Sequence, residues 1–216
     1  SIANIHDLDV VLFVLSNIAD QLNKGVKRPE KTVKTTAYNL LKSIGRNTGG
    51  VDYENLKNAL RRLKSTTIET NIRTDTFKQN AMFSWIGDWV EEPDSKEIYI
   101  TCSEFLYKGI VDDKSMLTVH PDYFKMQSGI LKYLYRLARR SVGKEDKKWE
   151  WTMTTLHERS ASLSSVSDFK KNVRKVIDRV NKDGNFPEYN LEIIGDKKTE
   201  KVIMTKKKAE IIGEQP

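Results

Sequence analysis

From residue 7 to residue 23 apolar side chains recur at three- and four-residue intervals. Leu8, Val11, Leu12, Leu15, Ile18, Ala19 and Leu22 form one stripe, which predicts an amphipathic helix. Gly25 and Pro29 interrupt it, and a second helical stretch is expected over residues 34–44, with Tyr38, Leu40 and Leu41 near its centre and Gly45 at its end. Arg46-Asn-Thr-Gly-Gly50 reads as a turn and Asp52 as the N-cap of a third helix over residues 53–64. That helix puts Tyr53, Leu56, Leu60 and Leu63 on one side and Glu54, Asn55, Asn58, Arg61 and Arg62 on the other. The pattern then changes: residues 66–72, 81–90 and 97–102 are rich in β-branched and aromatic side chains and predict strands. Helix, turn, helix and a small antiparallel sheet is the element order of a winged helix.

The order repeats. Residues 117–120 are a strand candidate ended by Pro121. Ser128 is placed to cap a helix reaching Ser141, with Ile130, Leu131, Leu134 and Leu137 inward and Lys132, Arg136, Arg139 and Arg140 elsewhere around it. Trp149-Glu-Trp151 reads as a strand, residues 152–160 as a short helix with Met153 and Leu156 inward, and residues 162–165 as a turn. A helix over residues 168–182, capped by Ser165 or Ser167, turns Phe169, Val173, Val176, Ile177 and Val180 inward. Its opposite face carries Lys171, Arg174, Lys175, Asp178 and Lys182 within roughly 100° of arc on a 3.6-residue wheel. Asp183-Gly184 closes it, and residues 189–194 pair with 201–205 as a hairpin whose tip bears Lys197 and Lys198. The expected fold class is therefore α+β, with two tandem winged-helix domains at residues 1–114 and 115–208 and a tail at 209–216.

Charge separates the halves. Residues 1–116 hold 16 Lys plus Arg and 16 Asp plus Glu, whereas residues 117–208 hold 21 and 12. Most of the net charge of +7 therefore lies in the second half, which points to a polyanionic partner. Without a long apolar run or a basic-then-apolar start, no membrane partner is expected and the cytoplasm is the expected location. One cysteine, Cys102, and three scattered histidines, His6, His120 and His157, give no disulfide and no metal cluster, so neither metal nor cofactor is expected.

The second half contains Leu117-Thr-Val-His-Pro-Asp-Tyr-Phe124, Leu134-Tyr-Arg-Leu-Ala138, Trp149-Glu-Trp151 and Phe186-Pro-Glu-Tyr189, and the first half residues 7–18 and 38–45, Tyr53-Glu-Asn-Leu56 and Leu60-Arg-Arg-Leu-Lys-Ser-Thr-Thr-Ile-Glu-Thr70. In the order and spacing of these stretches the chain resembles the plasmid and phage replication initiator protein A family. The resemblance implies two winged-helix domains that bind repeated or palindromic double-stranded sites at a replication origin, help to open the duplex and recruit host replication proteins. It implies no catalytic residues, and places basic residues at Arg136, Arg139 and Arg140.

The expected DNA contacts are Lys171, Arg174, Lys175, Lys182, Lys197 and Lys198 in the second half, with Arg136 and Arg139 as phosphate contacts and Arg140 as a cap on its helix end. In the first half they are Asn55, Asn58, Arg61 and Arg62, since Asn and Arg can form paired hydrogen bonds with adenine and guanine. Trp85, Trp89, Trp149 and Trp151 are expected in the core. Enzymatic readings fail: the glycine turn at residues 45–50 lacks the Lys-Ser/Thr of a phosphate loop, and Glu91-Glu92 and Asp112-Asp113 are adjacent acids that face apart on a strand. Two rivals stay open at this point. One is a repressor that binds an operator; the other is an adaptor whose neutral first half self-associates and contacts a host helicase or initiator.

Overall fold

The computed structural model describes residues 2–70, 81–112, 119–143, 147–197 and 199–208. The chain divides into two compact units, residues 1–118 and 119–216. The expected boundary at 114/115, Asn71 and Ile72 of the first strand candidate, Asp113, Lys198 and the tail lie outside the described residues.

The first unit runs α1 (Leu8–Asn23), β1 (Thr32–Thr36), α2 (Ala37–Ser43), α3 (Gly50–Ser65), β2 (Thr67–Thr70), β3 (Ala81–Ser84), β4 (Ile86–Glu92), β5 (Glu97–Cys102) and α4 (Glu104–Val111). Strand β5 lies between β1 and β4 and is antiparallel to both, while β2 and β3 pair separately. Along β5 the period-two pattern buries Ile98, Ile100 and Cys102 against the helices. Val10, Val14 and Ile18 of α1 and Leu56, Leu60 and Leu63 of α3 complete the core.

Several details of the first unit differ from the sequence expectation: residues 81–90, expected as one strand, divide at Trp85 into β3 and β4 of separate sheets, and α4 has no counterpart in it. The stretch expected as helix from residue 34 begins as β1, because Thr32, Val33, Thr35 and Thr36 are β-branched and β5 offers a ladder, Val33 opposite Ile100. Thr36 then caps α2, its Oγ1 accepting from Asn39 N at 3.1 Å. Helix α3 starts at Gly50, so Asp52 sits inside its first turn rather than ahead of it, and its carboxylate accepts from Gly49 N at 3.1 Å.

The second unit opens on a 3₁₀ turn (Pro121–Lys125) and continues α5 (Gly129–Ser141), β6 (Trp149–Thr152), α6 (Met153–Ser160), α7 (Val166–Asp183), β7 (Tyr189–Ile194) and β8 (Lys201–Lys206). Strand β8 lies between β6 and β7, again all antiparallel. Both units share long helix, edge strand, short helix and long helix in that order and a three-stranded sheet whose last strand is central; the first unit adds the β2–β3 pair and α4. Of the strand expected at residues 117–120, Leu117 and Thr118 are outside the described residues. Val119 and His120 are irregular, because His120 caps the 3₁₀ turn, its Nδ1 accepting from Asp122 N at 3.1 Å.

Helix α5 is rotated from its expected orientation. Its buried residues are Lys132, Leu134, Tyr135 and Ala138, not Ile130, Leu131 and Leu137. Lys132 is enclosed because its ammonium lies over the Tyr123 ring, 5.0 Å from the centroid. The tryptophans are not core residues either. Trp85, Trp89 and Trp151 are half-buried and Trp149 is exposed: Trp85 stands in the bend between β3 and β4, and the other three lie on β4 and β6, edge strands of their sheets. The large aromatics at the centre of the second unit are Tyr123, Tyr135, Phe169 and Tyr189.

Candidate nucleic-acid interface

Helix α7 is set at both ends by local chemistry. Ser165 Oγ accepts from Asp168 N at 3.1 Å and donates to the Asp168 carboxylate at 2.7 Å, and Gly184 ends the helix in the left-handed region at φ +64°. Phe169, Val173, Ile177 and Val180 are buried, which forces the remaining arc into solvent. Lys171, Lys175 and Lys182 are exposed on it, and among the described residues no carboxylate pairs with any of them. Arg179, missed because it lies just beyond the predicted arc, is also exposed, with its Nε 3.7 Å from Asp183.

Arg174 departs from expectation. Its Nε and Nη2 donate to the two oxygens of Glu200 at 2.7 and 2.6 Å, a bidentate pair in which Glu200 is only 9% exposed. Hydrogen bonding to Arg174 holds the Glu200 carboxyl below its ordinary range and raises the guanidinium in turn. Arg174 is thus engaged in bracing α7 against the start of β8 rather than projecting freely from the cationic face.

The β7–β8 hairpin forms between the expected segments, with Ile194 opposite Lys201 and Tyr189 opposite Lys206. Gly195 at φ +91° turns the chain where a Cβ would come within 2.9 Å of Thr199 O. Asp196 Oδ1 accepts from both Thr199 N and Thr199 Oγ1 at 3.0 Å. Lys197 is exposed at this tip.

Arg139 is a second correction. Its Nη1 lies 3.3 Å from both Glu188 Oε1 and Tyr189 OH, with the side chain largely enclosed. Tyr135 OH donates to Glu188 and accepts from His120 N at 2.8 Å. Burial, then the neighbouring Glu188, raises its hydroxyl well above the ordinary tyrosine range. This network holds α5 to the residues leading into β7. Arg136 is half-buried, and its Nε has no hydrogen-bond partner among the described residues.

Helix α3 occupies the equivalent place in the first unit but is electrically different. Arg62, expected to face outward, donates through Nε and Nη2 to Asp7 at 2.7 Å each, and Asp7 is 2% exposed. Lys57 pairs with Glu91 at 3.0 Å and Lys64 with Asp88 at 2.9 Å, so the acids of β4 neutralise the lysines of α3. Asn55, Asn58 and Arg61 remain exposed, with Arg61 Nη1 donating to Asn58 Oδ1 at 2.9 Å. Cys102 is buried, and desolvation pushes its thiol up to about 12. Among the described residues no helix is long and apolar enough to cross a membrane, and no three His, Cys, Asp or Glu side chains gather to hold a metal ion.

Comparison with known proteins follows the same line. The chain is 32% identical over 197 residues to a protein of Wigglesworthia glossinidia brevipalpis whose name assigns it to replication, covering 88% of this chain and 70% of that one. Among solved structures, domains 2 and 3 of RctB superpose with a TM-score of 0.70 at 12% identity, covering 95% of this chain and 83% of that one. The Pi initiator protein, solved in complex with iteron DNA, gives 0.61 at 15% identity, covering 93% and 92%. The family profile of Replication initiator protein A matches residues 1–191, and the chain belongs to that family.

Proposed function

We propose that this protein is a replication initiator, acting by binding and not by catalysis, that recognises specific double-stranded repeats at a plasmid- or phage-type origin through two winged-helix units. The observation that carries the reading is the exposed lysine face of α7, Lys171, Lys175 and Lys182, with which no carboxylate pairs among the described residues, beside a hairpin with Lys197 at its tip. Helix α7 would enter the major groove while the hairpin meets the phosphate strand. Lys198, Arg136 and Arg179 are further candidates for phosphate. In the first unit, exposed Asn55, Asn58 and Arg61 are the groups able to reach base edges. Origin opening, self-association and recruitment of a host helicase or initiator follow from the family reading as part of the same proposal.

The test is footprinting of the chain on the DNA flanking its gene, with affinity measured against salt. Protected repeats spaced by whole helical turns are expected. If six to ten phosphates are engaged, affinity drops by roughly 10³ to 10⁵ between 50 and 200 mM salt. A flat salt response would refute the interface. A plasmid carrying gene and site that fails to replicate autonomously would reassign the protein to repression.

A further inference from the structure

The turn between α6 and α7 contains the most exposed large apolar side chain among the described residues, Leu163, at a relative exposure of 104%. The turn around it is tightly held. Ser160 Oγ donates to His157 O at 2.7 Å and accepts from Ser162 N at 3.1 Å. Ser162 Oγ and Ser164 Oγ, on either side of Leu163, are 2.8 Å apart, and Ser162 Oγ also accepts from Ser164 N at 3.3 Å. From α6, His157 Nε2 donates to Ser164 O at 2.9 Å, and its ring stands edge-on to Phe169 of α7 at 5.2 Å. Ala161 enters the turn at φ +52°, a conformation an L residue holds only when its surroundings impose it. A flexible loop would let leucine fold back onto apolar surface; this one presents it to water.

What Leu163 meets can be read from its surroundings. It is framed by hydroxyls, Ser162, Ser164, Ser165 and Ser167, and followed on α7 by exposed lysines, which is a poor setting for an apolar protein partner. It suits the major groove, where the 5-methyl group of thymine is the apolar group among hydrogen-bonding base edges and where the leading end of such a helix makes its base contacts. We propose that Leu163 reads thymine methyl groups in the bound duplex and so contributes sequence preference that the lysines cannot supply. Val166, also exposed at the head of α7, extends the apolar tip. The inference rests on the DNA-binding reading above and names the base it selects.

Two duplexes of the DNA flanking the gene, amplified with either thymidine or deoxyuridine triphosphate, differ at every such position by the methyl group alone. The full chain is expected to bind the thymine duplex tighter by about fourfold for each methyl contacted. Leu163→Ala is expected to bind the two duplexes equally, and Leu163→Met to keep part of the preference. Because the side chain is in solvent, circular dichroism and thermal midpoint should match the parent. Equal binding of both duplexes by the parent chain overturns the inference while leaving the DNA-binding reading intact, as does a Leu163→Ala variant with undiminished preference. If that variant instead alters sedimentation of the DNA-free chain with the preference unchanged, the side chain serves contact between copies and the inference fails. Binding to neither duplex removes the DNA-binding reading and the inference together.

Discussion

Arg174 and Lys175 are neighbours on α7, yet the structure gives them different work, and the difference is measurable. Arg174 makes two charge-assisted hydrogen bonds to Glu200, whose side chain is 9% exposed, whereas Lys175 is exposed and has no carboxylate partner among the described residues. A hydrogen bond to a charged group contributes about 1.5–3 kcal/mol. The Arg174 side chain is 35% exposed, so solvent screening puts Arg174→Ala at the low end, about 1.5 kcal/mol. For a unit of this size that shifts the thermal midpoint down by roughly 6–12 °C. Glu200→Gln should show a loss of the same sign, since it removes the charge but keeps the shape. Lys175→Ala should leave the midpoint within about 1–2 °C and instead reduce the slope of log affinity against log salt by about 0.9, one phosphate contact. Scanning calorimetry and a salt titration on the footprinted DNA give the four numbers. If Arg174→Ala keeps full stability and flattens the salt slope as Lys175→Ala does, the brace assignment is wrong and Arg174 is a phosphate contact. Glu200→Gln leaving the midpoint unmoved would refute it independently.

Other expectations follow from the same geometry. The Glu200 carboxyl titrates below its ordinary 4.5 in the folded chain, so its contribution is fully present above that pH and is lost as pH falls through the lower folded value. Urea midpoints measured from pH 6 downward should therefore fall less steeply in Glu200→Gln than in the parent, and parallel curves would contradict the pairing. Asp7→Ala strips the partner from a partly enclosed guanidinium and should cost the first unit about 2–4 kcal/mol, read by chemical denaturation; a loss under 0.5 kcal/mol would show that Arg62 finds solvent at no expense. Cys102, buried and with its thiol near 12, should resist iodoacetamide at pH 8 in the folded chain and react promptly in denaturant, as mass spectrometry would register. Native labelling at the rate of a free thiol would place it at the surface.

Local rules carried much of the reading. The 3.6-residue stripe of α7, its serine cap, the closing glycine and the β7–β8 hairpin are all contained in runs of fewer than twenty residues, and each appears where the sequence puts it. Strand β1 was illegible because five residues of Thr, Val and Lys show no apolar alternation, and only the ladder offered by β5, over sixty residues later, makes them extended. The rotation of α5 escaped for a similar reason: lysine is counted polar in any wheel, and nothing near Lys132 in sequence announces the Tyr123 face that receives it.

By itself the sequence determined the α+β class, the long helices and the closing hairpin, the concentration of positive charge in the second half and the family. Tertiary structure alone decided which cations stay free. Asp7, Glu188 and Glu200 take Arg62, Arg139 and Arg174 out of the candidate interface across 55, 49 and 26 residues. Helical periodicity says which way a side chain leaves the backbone; whether a carboxylate waits there depends on chain segments that only folding brings within hydrogen-bonding distance.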